Sequence, residues 1–355
     1  MRIDTSLTAD RWLLALVGIM AAIAIFTALY LASSVFAPVA CALFIIAVAW
    51  PMQAWLQARV PQLLALAIVV TVIVVVFLAF TSIVTWGFGR IGRTLMADAA
   101  RFQILYDQFA VWLEGHGIVL AGLWSEHFNV GWFIRALQGV TGRVNTTVTF
   151  WLIVLVYVVL GLLEVDTIAR KLKASVSAAT SKVLICGSQI TAVKFRHYLV
   201  IRTVMSIATG VMVWALASLS GLQLAVEWGI IAFALNYIPF IGPFIATVFP
   251  ALFALAQFAS LQSAIFIFAG LNIIQFVIGS YIEPRISGKA LAVSPLVVLF
   301  SVFFWAYFWG LFGAFVGVPI TIAILTFCAQ HPSSRWIADL LGAPDSEPEP
   351  EPETA

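Results

Sequence analysis

The residues best placed to do chemistry lie in one stretch, Leu235-Asn236-Tyr237-Ile238-Pro239-Phe240-Ile241-Gly242-Pro243-Phe244. It sits inside a charge-free block running from Trp228 to Ile282. The chemistry on offer is recognition of a solute, not bond-making. Bilayer hydrocarbon gives backbone polar groups no partner, so such a block should be helical from end to end. Pro239 and Pro243 each remove a donor and clash with the preceding turn, and each turns the residue before it away from helix. Irregular backbone at membrane depth survives where it is buried in protein or lines a wet cavity, and in transporters such breaks often mark the substrate site. Asn236, Tyr237, Pro239, Gly242 and Pro243 are therefore candidate path residues. The plain alternative is a tight loop at the membrane face joining two ordinary helices.

Further along, Asn272 and Gln275 stand three residues apart, hence on one helical face, in a span with no charge to partner them. They suit either contact with a polar substrate or hydrogen bonds between helices. Glu283-Pro284-Arg285-Ile286-Ser287-Gly288-Lys289 is a compact charged turn between two broken apolar blocks. It reads as a solvated turn or as a gating or coupling ion pair of Glu283 with Arg285. A neighbouring arginine favours the ionised carboxylate, so Glu283 is not expected to cycle a proton. Gly310, Gly313, Gly317 and Pro319 break the last apolar block. Gly313 and Gly317 form a GxxxG pair that lets helices approach closely, and Pro319 can kink the helix.

Catalysis finds no support in the residue inventory. Intramembrane hydrolysis needs an activated serine, an aspartate pair or a metal inside the bundle. No Asp, Glu or His lies between Trp228 and Ile282, and His116, His127, His197 and His331 fall in linkers or at helix ends. Cys41, Cys186 and Cys328 are isolated, with no histidine at metal-ligand spacing. There is no HExxH, no GxSxG and no phosphate-binding glycine loop, so neither a metal nor a cofactor is expected, nor ATP-driven transport within this chain.

The elements that position these residues follow from composition. Charged residues make up 10% of the chain, against about a quarter in soluble proteins, and apolar runs repeatedly exceed the ~20 residues needed to cross a bilayer. This predicts an all-α, polytopic helical membrane protein with about eight membrane segments, two of them broken or re-entrant in the C-terminal half. Trp12–Leu31, Val39–Trp55 and Leu63–Phe88 read as three spans (1–88), with a short turn at Ser33, Ser34 and Pro38. Residues 89–146 mix charges with apolar positions at three- and four-residue spacing, an amphipathic interfacial insert. Thr147–Leu163 is a fourth span, followed by a basic linker helix that completes 147–202. That linker carries Arg170, Lys171, Lys173, Lys182, Lys194, Arg196 and Arg202 against Glu164 and Asp166, which places it in the cytoplasm. Anionic lipid explains those charges without nucleic acid. Residues 203–330 form the motif-bearing half, and 331–355 end in an acidic Pro-Glu tail that cannot bury a core.

Each broken block, Trp228–Phe258 and Leu291–Cys328, is either a re-entrant hairpin or a full span. The C-terminus is cytoplasmic either way, as is the N-terminus. Hairpins would put Glu283–Lys289 inside, and Arg285 and Lys289 favour that side.

With Asn236–Pro243, Glu283–Lys289, Val293-Ser294-Pro295-Leu296 and Gly313-Ala314-Phe315-Val316-Gly317-Val318-Pro319 assembled, the chain resembles the autoinducer-2 exporter family of bacterial membrane proteins. The order of parts agrees along nearly the whole chain, and the specific motifs lie between about Asn236 and Pro319. The resemblance implies a transporter of the bacterial inner membrane with about eight membrane segments. It implies export of a quorum-sensing signal or, for some members, exchange of sodium or lithium for protons. Pro284, Gly288 and Pro295 join Glu283 and Arg285 as candidate gating or coupling residues.

The reading is thus a non-enzymatic exporter of a small polar solute, with the C-terminal half carrying the path and the N-terminal spans as scaffold. The alternatives are a cation/proton antiporter and a non-transporting structural subunit. Proton-coupled carriers place carboxylates within the membrane; Glu227 and Glu283, both at block edges, are the candidates here. Expected partners are a small-molecule or ion substrate and membrane lipid, with homo-oligomerisation left open.

Overall fold

The computed structural model describes residues 5–97, 104, 144–175, 177–287 and 293–342. Nearly all of the insert past Ala97, together with Gly288, Lys289 and the acidic tail, lies outside the described residues. The chain is a polytopic helical membrane protein. Among the described residues, seven helices are long and apolar enough to cross a bilayer.

Helix α1 (Thr5–Leu31) is followed after one residue by α2 (Ser33–Gln57). The expected turn at Ser33, Ser34 and Pro38 is not formed: the helix resumes at Ser33 and runs through both Pro38 and Pro51. Neighbouring helices make such prolines tolerable by satisfying the freed backbone groups. Pro51 lacks the N–H that would bond the Ala47 carbonyl, and Arg196 Nη1 donates to that oxygen instead at 3.0 Å. Helix α3 (Gln62–Ala97) continues past Phe88 without a turn at Gly89. Its Gly87 packs against Ile230, whose Cγ2 a Cβ there would approach to 3.3 Å.

Helices α4 (Val144–Ser175) and α5 (Ala178–Leu219) absorb the basic linker, which is not a separate helix. The segment contains no proline and keeps helical spacing, so the two spans overrun the hydrocarbon. At 42 residues, α5 is about 63 Å long, twice the bilayer core. Ser177 caps it, its Oγ accepting from the Thr180 N–H at 3.2 Å.

Both broken blocks are hairpins. Hairpin 1 consists of α6 (Ala225–Leu235) and α7 (Ile241–Phe258). Gln257 ties its two mouths together: Nε2 donates to the Gly221 carbonyl at 2.8 Å, and Oε1 accepts from the Gln223 N–H at 2.8 Å. The chain therefore leaves hairpin 1 on the face where it began. Helix α8 (Leu261–Phe276) passes through a π-helical turn, Val277–Ile282, into the short α9 (Glu283–Ser287).

Hairpin 2 is α10 (Pro295–Gln330), folded back at Gly310 with φ 60° and ψ −139°, a conformation essentially reserved for glycine. Its arms run antiparallel, with the Ser301 and Thr321 hydroxyls 2.7 Å apart. Its ends also meet, through the Ser294 N–H donating to the Leu341 carbonyl of α11 (Arg335–Leu341) at 3.3 Å.

The hairpins enter from opposite ends of α5. The mouth of hairpin 1 lies just beyond Leu219, whereas Phe327 in the return arm of hairpin 2 packs on Gly187, in the basic half. The bend of hairpin 2 reaches α1, where Trp309 Nε1 donates to the Leu29 carbonyl at 3.1 Å. One core cluster joins α5 to α6 and α8 through Met205, Val213, Trp228, Ile231, Ile267 and Leu271. A second joins α2, α3 and α4, and a third seats Ile238 of hairpin 1 against Val302, Ala314 and Val318 of hairpin 2. Outward positions such as Leu16, Val76 and Phe276 are exposed and apolar, as lipid contact requires.

Candidate functional site

Three elements bring polar side chains together inside the bundle, and α5 supplies the floor. Tyr198, Arg202, Ser206 and Thr209 recur every three or four residues, hence on one face of that helix. Ser206 and Thr209 are fully buried, Tyr198 is buried, and the Arg202 side chain is 11% exposed. The tip of hairpin 1 meets this face. Asn236 Nδ2 donates to Ser206 Oγ at 3.3 Å, and the Tyr237 hydroxyl donates to Thr203 Oγ1 at 3.0 Å. From α9, Glu283 receives Arg202 Nη1 on both carboxylate oxygens, at 3.1 and 3.2 Å. The Tyr198 side chain lies against Arg202, whose guanidinium carbon stands 5.8 Å from its ring centroid, while the Thr209 hydroxyl on the same face, and Gln275 Nε2 on α8, are buried without a hydrogen-bond partner. Each such group costs about 1–3 kcal/mol, so the site holds hydrogen-bonding capacity that the protein itself does not use.

The tip is built under constraint. Pro239, Phe240 and Ile241 make a three-residue turn, the Ile241 N–H donating to the Pro239 carbonyl at 2.7 Å. Phe240 takes φ 62° and ψ −53°, the strained γ-turn conformation rarely adopted by residues with a side chain. Gly242 is required by contact, because a Cβ there would run into the Leu235 carbonyl of the opposite arm. Pro243 is the third residue of α7, where a backbone N–H would have no intrahelical acceptor in any case. The Tyr237 ring is held by Phe233, Phe80 and Phe315, with centroids 5.7, 5.9 and 6.1 Å away.

The other residues singled out in the sequence divide. Asn272 is exposed and donates to the Phe268 carbonyl of its own helix at 2.8 Å, so it does not reach the site. Gln275 turns its amide inward. Glu283 pairs with Arg202 of α5 and not with Arg285, which lies exposed over the Tyr281 ring at 3.8 Å. Three-dimensional packing, not chain proximity, chose the partner. Pro284 follows Glu283 in α9, and Pro295 opens the first arm of hairpin 2. Gly310 makes the bend, while Gly313 and Gly317 let the arms close against the Trp305 and Ser301 carbonyls, and Pro319 is buried in the return arm.

Sequence reasoning missed Tyr198, Arg202, Ser206 and Thr209. The available signal was a run of hydroxyls at three- and four-residue spacing continuing from Arg202 into an apolar span. A second ion pair, Arg90 Nη1 to Glu227 Oε1 at 3.1 Å, lies at the mouth of hairpin 1, with Glu227 in the first turn of α6. Among the described residues no cluster of His, Cys, Asp or Glu could hold a metal ion.

Residues 19–332 match the family described as AI-2E family transporter. The chain is 28% identical over 312 residues to the AI-2 transport protein TqsA of Escherichia coli (strain K12), covering 87% of this chain and 90% of the relative. It is 27% identical over 328 residues to the putative transport protein YhhT of the same organism, covering 90% and 91%. A putative transport protein of Haemophilus influenzae is 27% identical over 344 residues, covering 92% of this chain and 95% of that one.

Proposed function

The chain belongs to the AI-2E transporter family, and from that premise we propose that it exports a small polar solute, with the signal molecule AI-2 as the first candidate. The observation that carries this reading is the meeting of the broken tip of hairpin 1 with the buried polar face of α5. Asn236 and Tyr237 spend their side-chain donors on Ser206 and Thr203, and a solute can exchange with those weak neutral bonds at little net cost. The strained turn at Phe240 then supplies an element with more than one accessible conformation. Two hairpins entering from opposite ends suit alternating access around a shared mid-bundle site.

The overrunning, lysine- and arginine-rich ends of α4 and α5 orient that end towards the cytoplasm of the inner membrane. The solute would therefore be taken up beside Arg202 and released past Gln257. Both carboxylates at the block edges, Glu227 and Glu283, are engaged by arginine. Neither stands as an unpaired intramembrane acid of the kind that couples protons, which favours a neutral or weakly charged solute over a cation/proton exchange.

Reconstituted vesicles test the proposal. AI-2 should cross in a protein-dependent, saturable manner and without a requirement for imposed sodium, lithium or proton gradients. Protein-dependent sodium or lithium flux driven by a pH gradient, with no AI-2 movement, would give the function to the antiporter.

A further inference from the structure

A cleft of 370 Å³ opens where α4 ends and α5 begins, well separated from the tip of hairpin 1. Lys173 lines it from the last turn of α4, and Ser181 and Lys182 line it from the start of α5. Ile185 and Cys186 form an apolar wall one turn further along α5, with Gln189 a turn beyond. No acidic residue lines the cleft, and among the described residues neither lysine is in an ion pair. Two ammonium groups brought together from different helices repel each other, so an anion between them is stabilising.

The depth of the cleft in the bilayer follows from α2. Gly161 of α4 lies against Ile46 of α2, and the Phe44 and Phe195 rings of α2 and α5 meet with centroids 5.1 Å apart. Helix α4 runs parallel to α2, and α5 runs antiparallel to it. Equal helical rises from those two contacts bring Lys173 and Lys182 level, to within about one turn, with Gln57 at the end of α2. There the Arg59 guanidinium lies 3.7 Å over the ring of the exposed Trp55, an anchor of the kind found at a membrane–water interface. The cleft is therefore at headgroup depth.

We infer that this cleft is a discrete site for the headgroup of an anionic phospholipid, with Lys173 and Lys182 holding its phosphate between them. The inference is independent of which solute crosses. Lysine binds phosphate as a point charge, and Ser181, only 6% exposed, adds a hydroxyl at the same wall. Basic pockets between membrane helices on the cytoplasmic side take phospholipid headgroups in this way. A volume of 370 Å³ lies low in the ~300–1,000 Å³ range of small-ligand sites, enough for a headgroup and not for a whole lipid. Ile185 and Cys186 offer apolar surface to the glycerol and the first methylenes, which a free phosphate ion would leave uncovered. A zwitterionic headgroup would bring its own cation up to two lysines, so a net negative lipid is selected.

Lipid titration of the full chain in detergent, read by native mass spectrometry and by melting temperature, tests the site. The probes are dioleoylphosphatidylglycerol, dioleoylphosphatidylcholine and inorganic phosphate. Phosphatidylglycerol should bind saturably and raise the melting temperature, and the other two should do neither at the same concentration. Lys173→Gln and Lys182→Gln should each weaken phosphatidylglycerol binding roughly fivefold, and the double variant roughly twentyfold. Lys171→Gln removes an exposed charge of the same basic segment that does not line the cleft, and it should stay within twofold of the parent. Both cleft lysines are exposed, so the variants should melt with the parent when no lipid is added; if the double variant unfolds, the single variants decide. Equal loss in Lys171→Gln and the cleft variants means diffuse attraction to the basic segment and overturns the discrete site. Phosphatidylcholine binding as tightly as phosphatidylglycerol overturns the anionic assignment. Inorganic phosphate that displaces phosphatidylglycerol at equal concentration overturns the lipid in favour of a soluble phosphate.

Discussion

Replacing Gly242 by alanine is the sharpest perturbation of the hairpin tip. The added Cβ would meet the Leu235 carbonyl, a backbone atom that cannot rotate away. Relief requires the arms of hairpin 1 to spread, and overpacking of this kind costs about 1–3 kcal/mol. Spreading also pulls Asn236 and Tyr237 from Ser206 and Thr203, at about 1 kcal/mol for each bond. The fold should lose roughly 3–5 kcal/mol in total from these two sources. If the same two bonds position the solute, the ~2 kcal/mol they represent corresponds to roughly a thirtyfold fall in kcat/KM. Gly279 is the control, because a Cβ there meets nothing within 4 Å. The assay is the initial rate of AI-2 transport by vesicles matched for inserted protein, alongside thermal melting in detergent. Gly242→Ala should lose transport while Gly279→Ala stays within twofold of the parent. Gly242→Ala working at the parent rate, or both variants failing alike, would refute the argument that tip geometry sets the site.

Arg196→Met should lower thermal stability by about 1 kcal/mol, because it leaves the part-buried Ala47 carbonyl without a donor. Adding Pro51→Ala should restore most of that loss by returning a backbone N–H to the carbonyl, and a double-mutant cycle of melting temperatures measures the coupling. Glu283→Gln should keep its substrate range and its indifference to a pH gradient. It should nevertheless melt earlier, since removing one partner of a largely buried pair costs about 3 kcal/mol or more; loss of pH-driven flux with solute exchange intact would assign Glu283 to proton coupling. Lys182→Cys in intact cells should resist an impermeant external thiol reagent and react after the membrane is opened, and external labelling would reverse the orientation.

The membrane class and the positions of both breaks were legible in the sequence, for a local reason. Charge-free runs and prolines act through the solvent and through the backbone, and neither needs a distant partner to be understood. Hairpin 1 was marked by Pro239, Gly242 and Pro243, and hairpin 2 by Gly310. Long-range pairing was not legible. Glu283 has an arginine two residues away and yet pairs with Arg202, 81 residues distant. Assigning Arg202 to a basic linker concealed that it begins the buried polar stripe of α5. The turn expected at Ser33, Ser34 and Pro38 does not occur, because a helix can run through proline where a neighbour replaces the missing backbone bond, as Arg196 does at Ala47 for Pro51. Asn272 and Gln275 share a helical face by spacing, but the boundary between lipid and protein falls between them.

The most direct test of the account asks whether the Ser206 position is on the solute path. In a background lacking Cys41, Cys186 and Cys328, Ser206→Cys places a thiol under the hairpin tip, at a position that is fully buried in the structure. A small water-soluble thiol reagent should react with it during turnover, and saturating AI-2 should slow that reaction at least tenfold. A thiol that stays unreactive during turnover, or one whose labelling rate ignores AI-2, would contradict the placement of the path along α5.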